Sequence, residues 1–269
     1  MSNDVAARRA RMPAGSELFL DTRSLSTSHR RLASLLAPGM TVLDVGCGSG
    51  AITRGIAEAV SPGGMVLGID VSAELIGHAI RGGEGANLTY EVADIHLLDR
   101  PASFDVASAA RVLQWLSDPM PALRAMIDAV KPGGTVVVLD YDHTKLEWDP
   151  EPPAAVGRFY DAFLQWRAET GFDNELARHL PAMLRQAGLL EVSESDESEV
   201  ATRGERDFAT RVALWPNIIA TRGHQLVGDG ALREAERSRA EAEFRSWIET
   251  DAERQVLRLS AVVGTRPLG

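Results

Sequence analysis

Cysteine is almost missing: Cys47 stands alone among 269 residues. One thiol closes no intramolecular disulfide and builds no cysteine-based metal site, so a reducing, cytoplasmic setting is expected. Apolar runs that approach the roughly 20 residues of a bilayer span are missing too. No apolar stretch stands behind the N-terminal arginines, as a secretory signal would require. Positive charge is in deficit, with a formal balance of −10. A chain of that sign does not gather phosphate backbones or anionic lipid by its overall field, and neither nucleic acid nor membrane is an expected partner. The basic clusters are Arg8/Arg9/Arg11 and Arg30/Arg31. The first sits in a polar N-terminal stretch, residues 1–16, that reads as a loose, solvated tail. Internal repeats and low-complexity tracts are absent.

What is present is an alternation. The 45% apolar content is enough for a real core. Residues 17–36 have a helical pattern that stops at Pro38-Gly39. Short β-branched runs follow at 40–46, 65–70, 88–93, 104–109 and 135–139, each read as a buried strand. Helical spacing fills 51–60, 72–80 (with Ser72 as N-cap) and 120–130, and loops fall at 81–85 and 131–134. Strands separated by helix-length segments predict an α/β fold with a doubly wound, mostly parallel sheet. Right-handed crossovers then place every strand's carboxyl end on one ligand-binding edge. That edge carries Asp44, Asp70, Asp94, Ala110 and Asp140.

The strongest chemical signal is Asp44-Val-Gly46-Cys47-Gly48-Ser-Gly50 between a strand and a helix. Glycines let backbone approach a ligand closely, and the following helix offers free N–H groups. Asp70, at the next strand's end, is placed to accept from a ribose diol. These features predict a nucleoside-containing cofactor. Gly46, Gly48 and Ala51 also match the dinucleotide pattern, which leaves an NAD(P)-dependent oxidoreductase as an alternative. That pattern seats a pyrophosphate, beside which the Asp44 carboxylate would sit poorly; a sulfonium cofactor brings an ammonium that an acid would favour.

Val42-Leu-Asp-Val-Gly-Cys-Gly-Ser-Gly50, Gly68-Ile-Asp-Val-Ser72, Ala93-Asp94-Ile95, Arg111-Val-Leu-Gln-Trp-Leu-Ser-Asp-Pro119 and Lys131-Pro-Gly-Gly-Thr135 occur in that order. Together they resemble the class I S-adenosylmethionine-dependent methyltransferases, in particular the bacterial small-molecule branch. The resemblance implies a seven-stranded Rossmann-like sheet with helical insertions and S-adenosyl-L-methionine as cofactor, with S-adenosyl-L-homocysteine as product. It assigns cofactor contacts to Asp44, Gly46, Cys47, Gly48 and Gly50, to Asp70, Val71 and Ser72, to Ala93, Asp94 and Ile95, and to Ala110, Arg111 and Trp115. Departures are Ala93 where many members carry glycine and Leu98 where many carry proline. The implied organisation is one domain, 1–269: a tail and helical cap at 1–36, a cofactor-binding core at 37–143, helical insertions forming a substrate lid at 144–186 and 196–254, and a final antiparallel edge strand at 255–269.

Methyl transfer from a sulfonium is an in-line displacement whose main demand is alignment and exclusion of water. A general base matters only where the acceptor must lose a proton. Candidates are His143, Asp142, Tyr141 and His29, with Glu147 a weaker one. Asp140 or Asp142 capping the loop, with His143 on the surface, is an equally good account of that stretch. For His29 and Arg23 a solvated helix face is the favoured account, and for Cys47 a small buried hydrophobe. Of the aromatics Phe159, Tyr160, Phe163, Trp166, Trp215, Phe244 and Trp247, most should pack and a minority should line an apolar acceptor pocket. The motifs of amino-group nucleic-acid methylases, arginine methylases and metal-dependent catechol-type enzymes are not found, so no metal is expected. The expected partners are a small-molecule acceptor and, in a homodimer, a second copy of the chain. A third reading is an S-adenosylmethionine-binding protein that does not transfer the methyl.

Overall fold

A computed structural model describes residues 3–13, 15–83 and 85–268, without the side chains of Asn3 and Leu18. Met1, Ser2, Ala14, Glu84 and Gly269, which belong to the expected tail, the 81–85 loop and the C-terminal stretch, lie outside the described residues.

Ten strands are formed among the described residues: β1 Thr41–Val45, β2 Met65–Asp70, β3 Leu88–Val92, β4 Phe104–Ala110, β5 Val130–Tyr141, β6 Glu147–Asp149, β7 Leu190–Asp196, β8 Glu199–Thr202, β9 Arg254–Leu257 and β10 Leu259–Thr265. The main sheet has seven strands in the order β3-β2-β1-β4-β5-β10-β7. The first five run parallel, and β10 pairs antiparallel with both β5 and β7. Strand order reverses between β1 and β4, which opens a crevice above their carboxyl ends.

The central strands are mostly apolar because both faces are covered. Leu43, Val45, Leu67 and Ile69 face the helices Met120–Ala129 and Leu176–Gln186. Val42, Val66, Val106 and Val137 face the opposite way, toward Ile56, Ala57, Ile76 and Ala79 of the helices Ala51–Ala59 and Ala73–Gly82. Ser72 caps the second of these by accepting from Leu75 N–H at 3.2 Å. A third core holds Phe159, Phe163, Trp215, Phe244 and Trp247, contributed by the helices Ala154–Ala168, Leu214–Ala220 and Glu234–Thr250. It sits over the β5–β10 end of the sheet and is closed by a second sheet, β6-β9-β8.

Four expectations are corrected. The N-terminal stretch is not a loose tail: Asn3–Ala10 is helical, and Arg9 is 6% exposed. Its guanidinium bonds Asp229 at 2.7 Å and the Trp166 carbonyl. Residues 17–36 are not one helix but three short ones, Glu17–Leu20, Leu25–Ser28 and Arg30–Ala33. Ser24 breaks the run by leaving helical geometry to cap the second piece, accepting from Thr27 N–H. The final strand is not an edge, since β10 is buried along Ala261, Val262 and Val263. The edge is β7, whose polar Glu191-Val-Ser-Glu-Ser-Asp196 suits exposure. Finally, the regions 144–186 and 196–254 are not helical alone: β6 and β8 fall inside them and pair with β9.

Candidate functional site

The crevice at the strand tips deepens into a cavity of about 750 Å³. Each tip delivers its residues because the sheet ends there. From β1 come Val45, Gly46 and Gly48; from β2, Asp70, Val71 and Ser72; from β3, Ala93, Asp94 and Ile95; from β4, Ala110, Arg111 and Trp115; from β5, Tyr141, Asp142 and His143. Met12, Pro13, Ser16, Phe19, Leu20 and Arg23 of the N-terminal segment cover one side, and Tyr160, Phe163, Leu214, Trp215, Ile218 and Arg222 cover another.

The turn after β1 is held by its own sequence. Gly46 has φ +67, and a Cβ there would come within 2.4 Å of Val112. Gly50 has φ +74, and a Cβ would meet the Tyr90 hydroxyl at 2.4 Å. Neither position tolerates a larger residue without rearrangement. Asp44 does not line the cavity. It is buried behind the turn and accepts the Thr53 hydroxyl at 2.7 Å, so it ties β1 to the helix beyond the glycines. Burial, opposed by the Thr53 hydrogen bond, pushes its carboxyl up to about 7. Cys47 and Gly50 also stay off the cavity wall; burial pushes the Cys47 thiol upward, away from thiolate chemistry.

Asp70 accepts from Gly48 N–H at 3.0 Å and from Ser72 N–H at 2.8 Å, which fixes its carboxylate at the cavity floor. Burial raises its pKa against those two bonds. Asp94 stands exposed at the rim, accepting from the His96 N–H at 2.9 Å and the His96 ring at 2.7 Å.

Arg111 holds the β4 tip in an unusual state. It is a non-glycine residue at φ +64, buried, with its N–H bonded to the Leu139 carbonyl at 2.6 Å. Backbone strain of this kind costs about 1–3 kcal/mol and persists where surroundings over-determine it. Here the guanidinium donates to the Tyr141 hydroxyl at 3.0 Å, the Ser28 carbonyl at 3.1 Å and Glu199.

His143 is not a surface residue as one expectation had it; it is 7% exposed and lines the cavity. The Tyr141 ring stacks on it at 5.1 Å and Phe163 and Trp215 meet it edge-on. Burial, with Arg167 nearby, lowers its pKa well below the usual imidazole value, so it is neutral. Its Nε2 lies 2.7 Å from the Gln114 Oε1, whose amide is oriented by donating from Nε2 to the Arg111 carbonyl. His143 Nε2 must therefore carry the proton, leaving Nδ1 as a lone-pair acceptor. Asp142 is buried and caps the turn, accepting from Thr144 N–H at 2.9 Å and Thr144 hydroxyl at 2.6 Å.

His29 departs from the solvated face expected of it. It is fully buried, 3.3 Å from the Ser108 hydroxyl, and does not line the cavity. Burial and Arg111 lower its pKa to about 3. Glu147 is exposed and paired with Arg258 at 2.5 Å, outside the cavity. Among the described residues no group of His, Cys, Asp or Glu gathers as a metal site. Of the seven aromatics singled out, Tyr160, Phe163 and Trp215 line the cavity and the others pack. Sequence reasoning gave no role to Glu199 or Arg222 and missed the coupling of Gln114 to His143. No local pattern marks these residues; distant segments bring them together.

Residues 36–186 match a family model described as a methyltransferase domain. The chain is 30% identical to phosphoethanolamine N-methyltransferase 1 of Arabidopsis thaliana over 185 residues, 67% of this chain and 35% of that protein. It is 32% identical to a ubiquinone biosynthesis O-methyltransferase of Pectobacterium carotovorum over 114 residues, 41% of this chain and 46% of that protein. The chain thus spans less than half the length of these curated relatives. Phosphoethanolamine N-methyltransferase 2 of Haemonchus contortus, solved with phosphomonomethylethanolamine and S-adenosylhomocysteine, superposes with a TM-score of 0.56 at 16% identity, covering 95% of this chain and 54% of that one. Identity that low speaks for a shared fold alone.

Proposed function

Since the chain belongs to the methyltransferase domain family, we propose that it transfers a methyl group from S-adenosylmethionine to a small, partly apolar molecule. The observation that carries this reading is the single cavity joining the β1 turn, Asp70 and Asp94 to a chamber walled by Tyr141, His143, Tyr160, Phe163 and Trp215. The residues fit the cofactor. Gly46 and Gly48 bring bare backbone to the cavity, Asp70 offers a carboxylate to a ribose diol, Asp94 and the Ile95 N–H serve the base, and the Ala110–Arg111 backbone serves the amino-acid end. Asp44 acts from behind as a positioning residue. When bound, the cofactor supplies an electrophilic methyl whose thioether leaves without protonation.

The protein's own part is to align the acceptor and keep water out, which the aromatic chamber and the helices over it do. His143 is the side chain that takes a proton where the acceptor must lose one, with Gln114 holding its tautomer. Gln114→Leu should then lower kcat while leaving cofactor affinity unchanged; a loss of both would sink that role. A dinucleotide reading leaves the β3 tip and the aromatic chamber without a task.

Calorimetric titration tests the proposal. Wild-type protein should bind S-adenosylhomocysteine and ignore NADH, and Asp70→Ala should lose about tenfold or more in affinity, the worth of hydrogen bonds to a charged group. Preference for NADH, or an Asp70→Ala variant with undiminished affinity, would refute it.

A further inference from the structure

Trp115 lies in the cavity wall between two arginines. The Arg222 guanidinium sits 3.9 Å from its ring centroid and that of Arg167 sits 4.5 Å away. Both arginines are almost wholly buried, at 4% and 0% exposure. Two like charges on one indole, out of water, are costly unless anions answer them. Arg167 has partial answers: it donates to Asn174 at 2.8 Å and to the Gln114 carbonyl at 3.0 Å, and Asp140 and Asp173 stabilise its charge. Arg9, on the neighbouring helix, is neutralised by Asp229 and Glu169.

Arg222 has no such answer. Its partners are the Arg9 carbonyl at 2.7 Å, the Gln225 Oε1 at 3.0 Å and the Met12 sulfur at 3.3 Å, all uncharged. Among the described residues no carboxylate lies within ion-pair distance of it. A guanidinium has five N–H donors, so these three contacts do not exhaust it. Unlike Arg167, it lines the cavity, on the side formed by Leu214, Trp215, Ile218 and Thr221.

We propose that Arg222 seats an oxyanion, a carboxylate or phosphate, of the methyl acceptor, whose apolar part lies against Trp115 and Trp215. This rests on the methyl-transfer reading and narrows it: the substrate class is an anionic, partly aromatic small molecule. A planar guanidinium backed by an indole presents paired donors to such a group.

The test uses protein saturated with S-adenosylhomocysteine and titrated with benzoate, phenyl phosphate or benzamide. The three probes share a ring and differ in charge. An anion should bind roughly tenfold or more tighter than benzamide, the worth of a charged hydrogen bond, and which anion leads identifies the group. Arg222→Gln should erase the preference and keep S-adenosylhomocysteine affinity; Arg222→Lys should retain part of it, which covers the case where the glutamine variant does not fold. Equal binding of acid and amide by wild type, or a preference that survives Arg222→Gln, overturns the inference and leaves methyl transfer standing. A loss of S-adenosylhomocysteine affinity in Arg222→Gln also overturns it, by moving Arg222 to the cofactor. If wild type binds no S-adenosylhomocysteine, both readings fall.

Discussion

Asp44 is a carboxyl placed where water does not reach, and its single hydroxyl partner, Thr53, does not compensate for that burial. Its pKa moves from 3.8 to about 7. A raised folded-state pKa means that its stabilising contribution is fully present below the unfolded value and is lost as pH rises through about 7. Asp44→Asn keeps an acceptor for Thr53 and removes the titration. Urea denaturation should find the variant more stable near pH 8 by on the order of 2–4 kcal/mol, since a pKa unit is worth about 1.4 kcal/mol. The advantage should shrink steadily toward pH 4; a pH-independent difference would contradict the burial argument. At this scale the legible residues were those whose type is forced by local geometry. Gly46 and Gly50 need positive φ, and Asp70 ends a strand beside them. Arg222 and the bond between Gln114 and His143 were not legible, because each depends on residues far away in the chain. His29 and His143 were misread in part for the same reason: a polar side chain's burial is decided by what packs on it, not by its own sequence neighbours.

Among the elements, the parallel strands were readable because continuous apolar runs between helix-length segments have few other folds. The ends of the chain were less readable. Asn3–Ala10 has mean character too polar to announce a buried role, yet Arg9 inserts its guanidinium between Trp166, Asp229 and Glu169. That helix carries Met12 and Pro13 onto the cavity behind it. Arg9→Ala removes one of three donors to the Asp229 carboxylate, leaving those of Arg8 and the Trp166 indole, and takes away the bonds that hold the segment to Trp166 and Glu169. The expected cost is about 1.5–3 kcal/mol in denaturant unfolding, the worth of hydrogen bonds to a charged group. Trypsin should cut at Arg8 and Arg11 sooner, and S-adenosylhomocysteine should slow that cutting. Unchanged stability and cleavage would show the helix to be a passive appendage. The short strands β6 and β8 escaped notice because three or four residues of mixed polarity carry no period to read, and β9 was read as the start of the final strand.

For the molecule as a whole, the sheet gathers the carboxyl ends of five parallel strands, and the C-terminal helices with the N-terminal segment roof the space above them. Sequence order made the floor of that space legible, since each motif ends a strand. The roof was legible only as aromatic helices, because its shape depends on how they dock, and with it the acceptor chamber. The central claim is that floor and roof enclose one continuous site. A crystal structure with S-adenosylhomocysteine tests it most directly. The ribose should lie on Asp70, the adenine near Asp94 and Ile95, and the sulfur should face the chamber of Tyr141, His143 and Trp215. A sulfur turned away from that chamber, or a ligand bound outside the strand tips, would contradict the account.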